Sequence, residues 1–482
     1  MTARPAPTKP LLPELAIGLG LGLIAALMTL VFALAIHPVV AIALPVVMAV
    51  GLALAARPEV GAFFLIFFAY LDGISDKIFA VSPISGFKLI TAATIFGIAV
   101  IAHKHRTQFR AILASPIALW AFGFSCAWLI AILLADSKSV AVEWGSRLGT
   151  IKLLLFLIIL SLRSQSQITA GILCLALTSA ISAVLLIVDT MLGITLVSTS
   201  EAATTARTAE GFDRSSGGSQ YNPTTAATML LCGTIIALVH AVESPKWRHY
   251  MVAFALLGTA AVVLSFARSA ALVYAIIAVA LAVRYGKHRL FMPFAILGAA
   301  AAIAMLPFVP ASYFERIASI MNVFLGGGGD WTLGRRMTYN VIGMDQLLQN
   351  PIFGIGPGNF AEVFTHQDYR YLPGRTLWGR QLHNMYLSVA VEYGLVGFTF
   401  FAGLIITAFR MARSVARTPA NEDLRALAVA LTYGMAAYYI VSVFVPNEYN
   451  KYTWILPALS GALWLLNTRK LREAAWPTSS SP

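Results

Sequence analysis

Apolar runs of membrane length dominate this chain, cut at short intervals by polar and mostly cationic connections. A helix needs about 20 mostly apolar residues to cross the hydrocarbon layer. Runs of this kind lie near 13–37, 39–56, 58–71, 88–103, 112–135, 148–162, 171–192, 223–242, 249–267, 268–284, 290–308, 383–409, 425–445 and 451–467. The run at 58–71 is short and 249–284 divides in more than one way. The pattern therefore predicts an all-α polytopic bundle of about 12–14 transmembrane helices, with an even number favoured. Residues 1–482 form one integral membrane domain. Arg4 and Lys9 precede a first run too long for a signal-peptide core of about 7–15 residues, so it reads as an uncleaved first span.

Composition excludes a soluble protein. Of 482 residues 59% are hydrophobic and 11% charged, with mean hydropathy +0.78, whereas soluble domains carry about 25% charged residues. The net charge of +13 would suit nucleic acid, but mapping it removes that reading. With a cytoplasmic N-terminus, the inner connections hold Arg57; Lys104, Arg106 and Arg110; Arg163; Lys246 and Arg248; Arg284, Lys287 and Arg289; and Arg410, Arg413, Arg417 and Arg425. The tail adds Arg469, Lys470 and Arg472, so both termini are expected in the cytoplasm by the positive-inside rule. Cys126, Cys174 and Cys232 lie in apolar stretches without ligand or redox spacing.

Two long polar segments, 193–222 and 309–382, fall on the outer side. Loops of that length are functional or disordered. The second carries Trp331, Tyr339, Phe353, Phe360, Phe364, Tyr369, Tyr371 and Trp378, an aromatic density that implies packing or ligand stacking. Gly326–Gly329 reads as a flexible hinge. These segments and the adjoining span ends hold Arg207, Arg214, Arg268, Arg316, Arg335, Arg336, Arg370, Arg375 and Arg380, with no lysine among them. Guanidinium forks match phosphate oxygens in two-point contacts. The array is either a set of ion pairs with Asp213, Asp330, Asp345, Glu362 and Asp368, or a site for an anionic, diphosphate-like substrate.

From Arg335 to Gln349, Met337, Val341, Met344 and Leu348 recur at helical spacing, predicting a helix that lies along the membrane interface. Arg335 and Arg336 fall in its expected first turn, unfavourable beside the positive helix end until a phosphate binds there. Arg268 lies between two apolar runs, where an ionisable group is either functional or snorkelling. His383 and Asn384 open the helix that closes the large loop. His383 is either a proton acceptor or an interfacial capping residue. Glu392 follows His383 by nine residues, half a turn round and about 13.5 Å along a straight helix, so it pairs elsewhere in the bundle. Lys152 and Asp189 are the main candidates for deep charges. Gly354, Gly356 and Gly358 follow no strand and read as a reverse turn; Gly394 and Gly397 read as close helix packing. No cluster has metal-ligand spacing, so no metal or other cofactor is expected.

Taken as an ordered set, these segments resemble the O-antigen ligase/polymerase superfamily. Arg214-Ser-Ser-Gly-Gly-Ser-Gln-Tyr-Asn222-Pro223 is similar to its arginine–glycine–Asn-Pro loop, with a departure after the proline. Ser265-Phe-Ala-Arg268, Gly334-Arg335, Asn350 to Phe360, and His383-Asn384 with Glu392 and Gly394 resemble the segments that follow, over about 207–400. The resemblance implies a membrane glycosyltransferase bundle in the bacterial inner membrane, with one large, partly helical periplasmic loop and the active site facing the periplasm. It implies an undecaprenyl-diphosphate-linked glycan as donor and lipid A–core as acceptor, with inversion and without metal. Arg214 and Arg335 would bind the diphosphate and His383 would activate the acceptor hydroxyl. Arg207, Arg268, Arg336, Asn222, Asn384 and Glu392 would serve substrate binding. Members also polymerise O-antigen or exopolysaccharide repeats, with a second lipid-linked glycan as acceptor. A lipid-linked oligosaccharide flippase would instead need charges deep among the helices.

Overall fold

A computed structural model of the chain describes residues 51–78 (except 55), 85–193 (except 104), 214–314 (except 312), 331–372 and 379–475. The spans expected at 13–37 and over most of 39–56, the hinge at Gly326–Gly329, and Arg207, Arg316 and Arg375 lie outside these residues. The remaining twelve apolar runs are all helical. They are α1 (Pro58–Tyr70), α3 (Gly86–Ala102), α5 (Pro116–Leu134), α6 (Lys138–Ser161), α7 (Gln165–Leu192), α8 (Pro223–Glu243), α9 (Arg248–Leu264), α10 (Arg268–Tyr285), α11 (Phe291–Met305), α14 (Met385–Arg417), α15 (Glu422–Val441) and α16 (Tyr452–Ala475). Four further helices are α2 (Asp72–Ile78), α4 (Arg106–Leu113), α12 (Trp331–Gln349) and α13 (Phe360–Val363). Among the described residues, 8 helices are long and apolar enough to cross a membrane. The chain is a polytopic helical membrane protein.

Helix ends are set by local chemistry. Ser164 and Gln167 close a capping box that starts α7 six residues before its apolar run, and Asn421 caps α15. α8 is apolar on all sides and buried nearly throughout, the mark of a central helix. It packs against α15, α9 and α7, while α14 packs against α5, α16 and α15. A Cβ on Gly233 would stand 2.3 Å from the Leu175 carbonyl oxygen, so α8 and α7 approach through a small residue, as membrane helices do.

The cationic connections gather at one end of the bundle. There Glu243 takes Arg284 at 3.2 Å and Arg425 at 3.0 Å, and Arg469 reaches the Arg163 carbonyl at 3.4 Å. The opposite end carries the long segments. Asp189 is not a deep charge; it lies in the last turn of α7 and accepts from Ser215 Oγ at 2.7 Å. Lys152 is buried inside α6, 3.5 Å from the Trp128 ring centroid and 3.3 Å from Ser125 Oγ.

α12 starts at Trp331, a turn earlier than expected, so Arg335 and Arg336 stand in its second turn and the dipole argument weakens. Its stripe of Met337, Val341, Met344 and Leu348 is exposed, as an interface helix requires. The other face puts Tyr339 and Ile342 into a core with Ile355, Phe360, Phe364 and Leu382. Tyr339, Phe360, Phe364 and Tyr369 therefore pack, whereas Tyr371 is exposed; Trp378 and the side chain of Trp331 lie outside the described residues. Tyr369 donates to Asp345 and accepts from Gln346, tying the segment after α13 to α12; burial and that carboxylate push its hydroxyl up to about 12.

Candidate active site at the loop end of the bundle

A cavity of about 1040 Å³ opens at the loop end of the bundle. One wall is Gly379, Arg380, Gln381 and His383, leading into α14. Asn384 caps α14, accepting from the Tyr386 and Leu387 amides at 3.0 and 3.2 Å, so its side-chain oxygen is committed to the helix. That cap fixes the half-buried His383 just outside the first turn. Its ring stacks on Tyr339 of α12, with centroids 5.4 Å apart and planes 25° apart. Burial, then the charges of Arg336, Arg380 and Arg335, push His383 down to about 3. Arg380 and His383 thus stand at the cavity wall, with Arg335 and Arg336 near enough for their charges to act on the ring.

Arg214 reaches the site by a different route. It is buried, and its Nε and Nη2 both donate to the Ser265 carbonyl at 3.2 Å. That carbonyl lies in the break between α9 and α10, where Phe266 has φ of 50°. Nη2 also donates to Thr224 Oγ1 at 3.2 Å, and Thr224 lines the cavity. Arg214 therefore stands behind the wall and clamps the break that leads to the half-buried Arg268. Arg214→Lys is expected to lower thermal stability, because an ammonium cannot reproduce this fork. A melting curve in detergent equal to that of the parent protein would contradict the clamp. Asn222 caps α8 through the Thr224 amide at 2.9 Å and also lines the cavity.

The rest of the cavity lining went unmarked in the sequence. Asp72 accepts from Lys451 Nζ at 3.2 Å, Ser219 Oγ at 3.3 Å and the Gln220 amide at 2.8 Å. Lys451 also lies 4.3 Å from the Phe87 ring centroid. Lys88, Trp144, Arg147 and Tyr449 complete this side. Cations here include two lysines, which corrects the all-arginine picture. Each of these residues sits at a span end, an ordinary place for a charged or aromatic group, and they come from distant parts of the chain.

The glycine segment is a backbone plug. Gly394 breaks α14 with φ of 66° and ψ of −177°. The freed Val391 and Glu392 carbonyls accept from the Ile355 and Gly356 amides, both at 3.0 Å, and the Leu395 amide donates to Pro351 at 2.8 Å. Gly354, Gly356 and Gly358 all have positive φ, as the expected reverse turn requires. Gly394 is thus a designed break, beyond the helix packing expected of it. Glu392 pairs away from His383, accepting from Tyr449 Oη at 2.7 Å. Among the described residues, no group of three His, Cys, Asp or Glu side chains could hold a metal ion.

This architecture and cavity define a multi-pass membrane protein with a cationic reaction-sized chamber at one end. Residues 253–402 match the family described as O-antigen ligase. The exopolysaccharide production protein ExoQ of Rhizobium meliloti (strain 1021) is 24% identical over 192 residues, covering 37% of this chain and 43% of that protein. The aligned part therefore spans less than half of that relative. The likeness to the O-antigen ligase-like superfamily drawn from the motifs holds over this part of the chain. The matched segment contains Arg268, Arg335, Arg336, Arg380, His383, Asn384 and Glu392; Arg207, Arg214 and Asn222 precede it.

Proposed function

We propose that the chain is a membrane glycosyltransferase that moves a glycan from undecaprenyl diphosphate onto a hydroxyl of lipid A–core, by direct displacement with inversion and without metal. The observation that carries this reading is His383, stacked on Tyr339 and lining the cavity beside Arg380, with the charges of Arg335 and Arg336 close enough to act on its ring. The acceptor oxygen attacks the anomeric carbon as the bond to the diphosphate oxygen breaks. The leaving diphosphate takes the bonding electron pair, and the guanidiniums offset the charge it gains. The hydroxyl proton passes to the His383 imidazole. Arg214, behind Thr224, and Arg268 add to the positive field of the same region.

In this reading two sets of residues divide the labour. Arg335, Arg336, Arg380 and His383 lie in the family-matched segment and take the lipid diphosphate. Asp72, Lys88, Trp144 and Lys451 lie outside it and face the acceptor glycan. The site then belongs on the periplasmic side of the inner membrane, with the cationic end of the bundle in the cytoplasm. Repeat-unit polymerisation is the second reading, favoured by the name of the exopolysaccharide production relative.

Purified protein, undecaprenyl-diphosphate glycan, a chelator and either lipid A–core or a second lipid-linked glycan test both readings. Transfer to lipid A–core is the expected result, and elongation of the lipid-linked glycan alone replaces ligase with polymerase. Arg335→Ala and Arg336→Ala are each expected to lower kcat by about 10²-fold or more. Unchanged kcat in both variants removes the diphosphate assignment.

A further inference from the structure

Beneath the large cavity lies a second group of titratable residues that the transfer reaction does not use. Glu448, in the turn between α15 and α16, is buried beside Glu392 of α14. The two carboxyls are satisfied unequally. Glu392 accepts from Tyr449 Oη at 2.7 Å, and Tyr449 also meets Tyr393 Oη at 3.0 Å. Glu448 Oε1 accepts from Ser388 Oγ at 2.7 Å, but its Oε2 is buried and meets no donor. Both carboxyls line a narrow void of about 10 Å³ with Gln381, Ser388, Tyr449 and Trp144. That space is close to the least that holds one water molecule.

Two adjacent buried carboxylates repel, and a carboxylate oxygen without a donor is costly. One proton on Glu448 Oε2 removes both penalties. We propose that Glu392 and Glu448 hold a single proton between them across this void, bridged by one water, and that the protonated pair positions Tyr449 in the cavity floor. Tyr449, Trp144 and Gln381 line both the void and the large cavity, and Trp144 packs on Tyr449 with ring centroids 5.0 Å apart. The floor therefore keeps its shape while the pair keeps its proton. Glu448 acts as a positioning residue through Tyr449.

The groups facing the pair are the hydroxyls of Ser388, Tyr393 and Tyr449, the Gln381 amide and the Trp144 indole. No cation lines the void among the described residues: Arg380 lies at the large cavity and Lys451 is engaged by Asp72. Burial, then the Glu392 charge, raise Glu448 to about 8. A carboxyl raised on folding stabilises fully below its ordinary value of 4.5, and that stabilisation is lost as pH rises through about 8.

The test uses full-length protein in detergent, comparing the parent with Glu448→Gln and Glu448→Ala. Thermal stability of the parent should fall as pH rises from about 5 to about 9. Glu448→Gln should be nearly flat over that window, because an amide keeps a donor and cannot ionise. Glu448→Ala should be less stable at every pH. In transfer assays, Glu448→Gln should keep at least about half of the neutral rate and lose the alkaline fall in kcat, and Glu448→Ala should lose rate throughout. An alkaline fall in stability that persists in Glu448→Gln overturns the shared proton. Equal rates for parent and Glu448→Ala overturn the positioning of Tyr449. The kinetic arm rests on the proposed transfer reaction; the stability arm does not, so failure of either can be told apart.

Discussion

Replacing His383 by alanine should cut transfer by about 10²–10⁴-fold while leaving membrane insertion and the amount of folded protein unchanged, the effect of removing a positioned proton acceptor. The environment of His383 adds a stricter expectation. With burial and three guanidiniums holding it down to about 3, the free protein presents a weakly basic imidazole. A diphosphate bound among Arg335, Arg336 and Arg380 would offset their charge and raise the basicity of the ring at the moment acceptor chemistry begins. Binding of inorganic pyrophosphate at about pH 5 should therefore take up protons, measurable by calorimetry in two buffers of different ionisation enthalpy. His383→Ala should abolish most of that uptake. Binding without proton uptake in the parent protein would reject the coupling. The same shift has a stability consequence of opposite sign to that of Glu448. A histidine kept neutral by the fold contributes stability above its ordinary value of 6.5, and that contribution is lost as pH falls toward about 3.

Much of this architecture is legible in the pattern of apolar runs, because lipid forces backbone polar groups into helices. The exposed stripe of α12 was equally visible, since Met337, Val341, Met344 and Leu348 have no reason to share a face except an apolar neighbour outside the protein. Arg335, Arg336, Arg380 and His383 stood out because arginines gather in and beside the long polar segments, and the fold brings these four near one another. The rest of the cavity lining did not. Asp72, Trp144, Tyr449 and Lys451 gain meaning only when helix packing brings three separate segments to one chamber. Arg214 shows a second kind of loss: its residue type suggested substrate, while its hydrogen bonds tie it to the Ser265 carbonyl. Glu448 gave no sign at all, since one glutamate between two apolar runs has the look of a loop residue until its neighbour Glu392 is placed.

The largest structural effect is expected at Gly394. Its φ of 66° with ψ of −177° falls in a region that side-chain-bearing residues avoid, at a cost of about 1–3 kcal/mol. A Cβ there would also stand 2.1 Å from the Ile352 carbonyl oxygen, and backbone cannot swing aside as a flexible side chain can. Overpacking of this kind adds about 1–3 kcal/mol. Gly394→Ala should therefore push residues 350–358 away from the break and leave the Val391 and Glu392 carbonyls without the Ile355 and Gly356 amides. Restoring a straight helix would satisfy those carbonyls from within α14, but it would redirect the first turns, which hold Glu392 and carry His383 just ahead of the Asn384 cap. Either outcome disturbs the register of His383 and Glu392 with the rest of the site. The variant should lose transfer entirely and melt well below the parent, whereas Gly298→Ala on α11, where an added Cβ meets nothing within 4 Å, should be silent. If Gly394→Ala melts with the parent and transfers normally, the break in α14 is not what holds the two halves of the site in register.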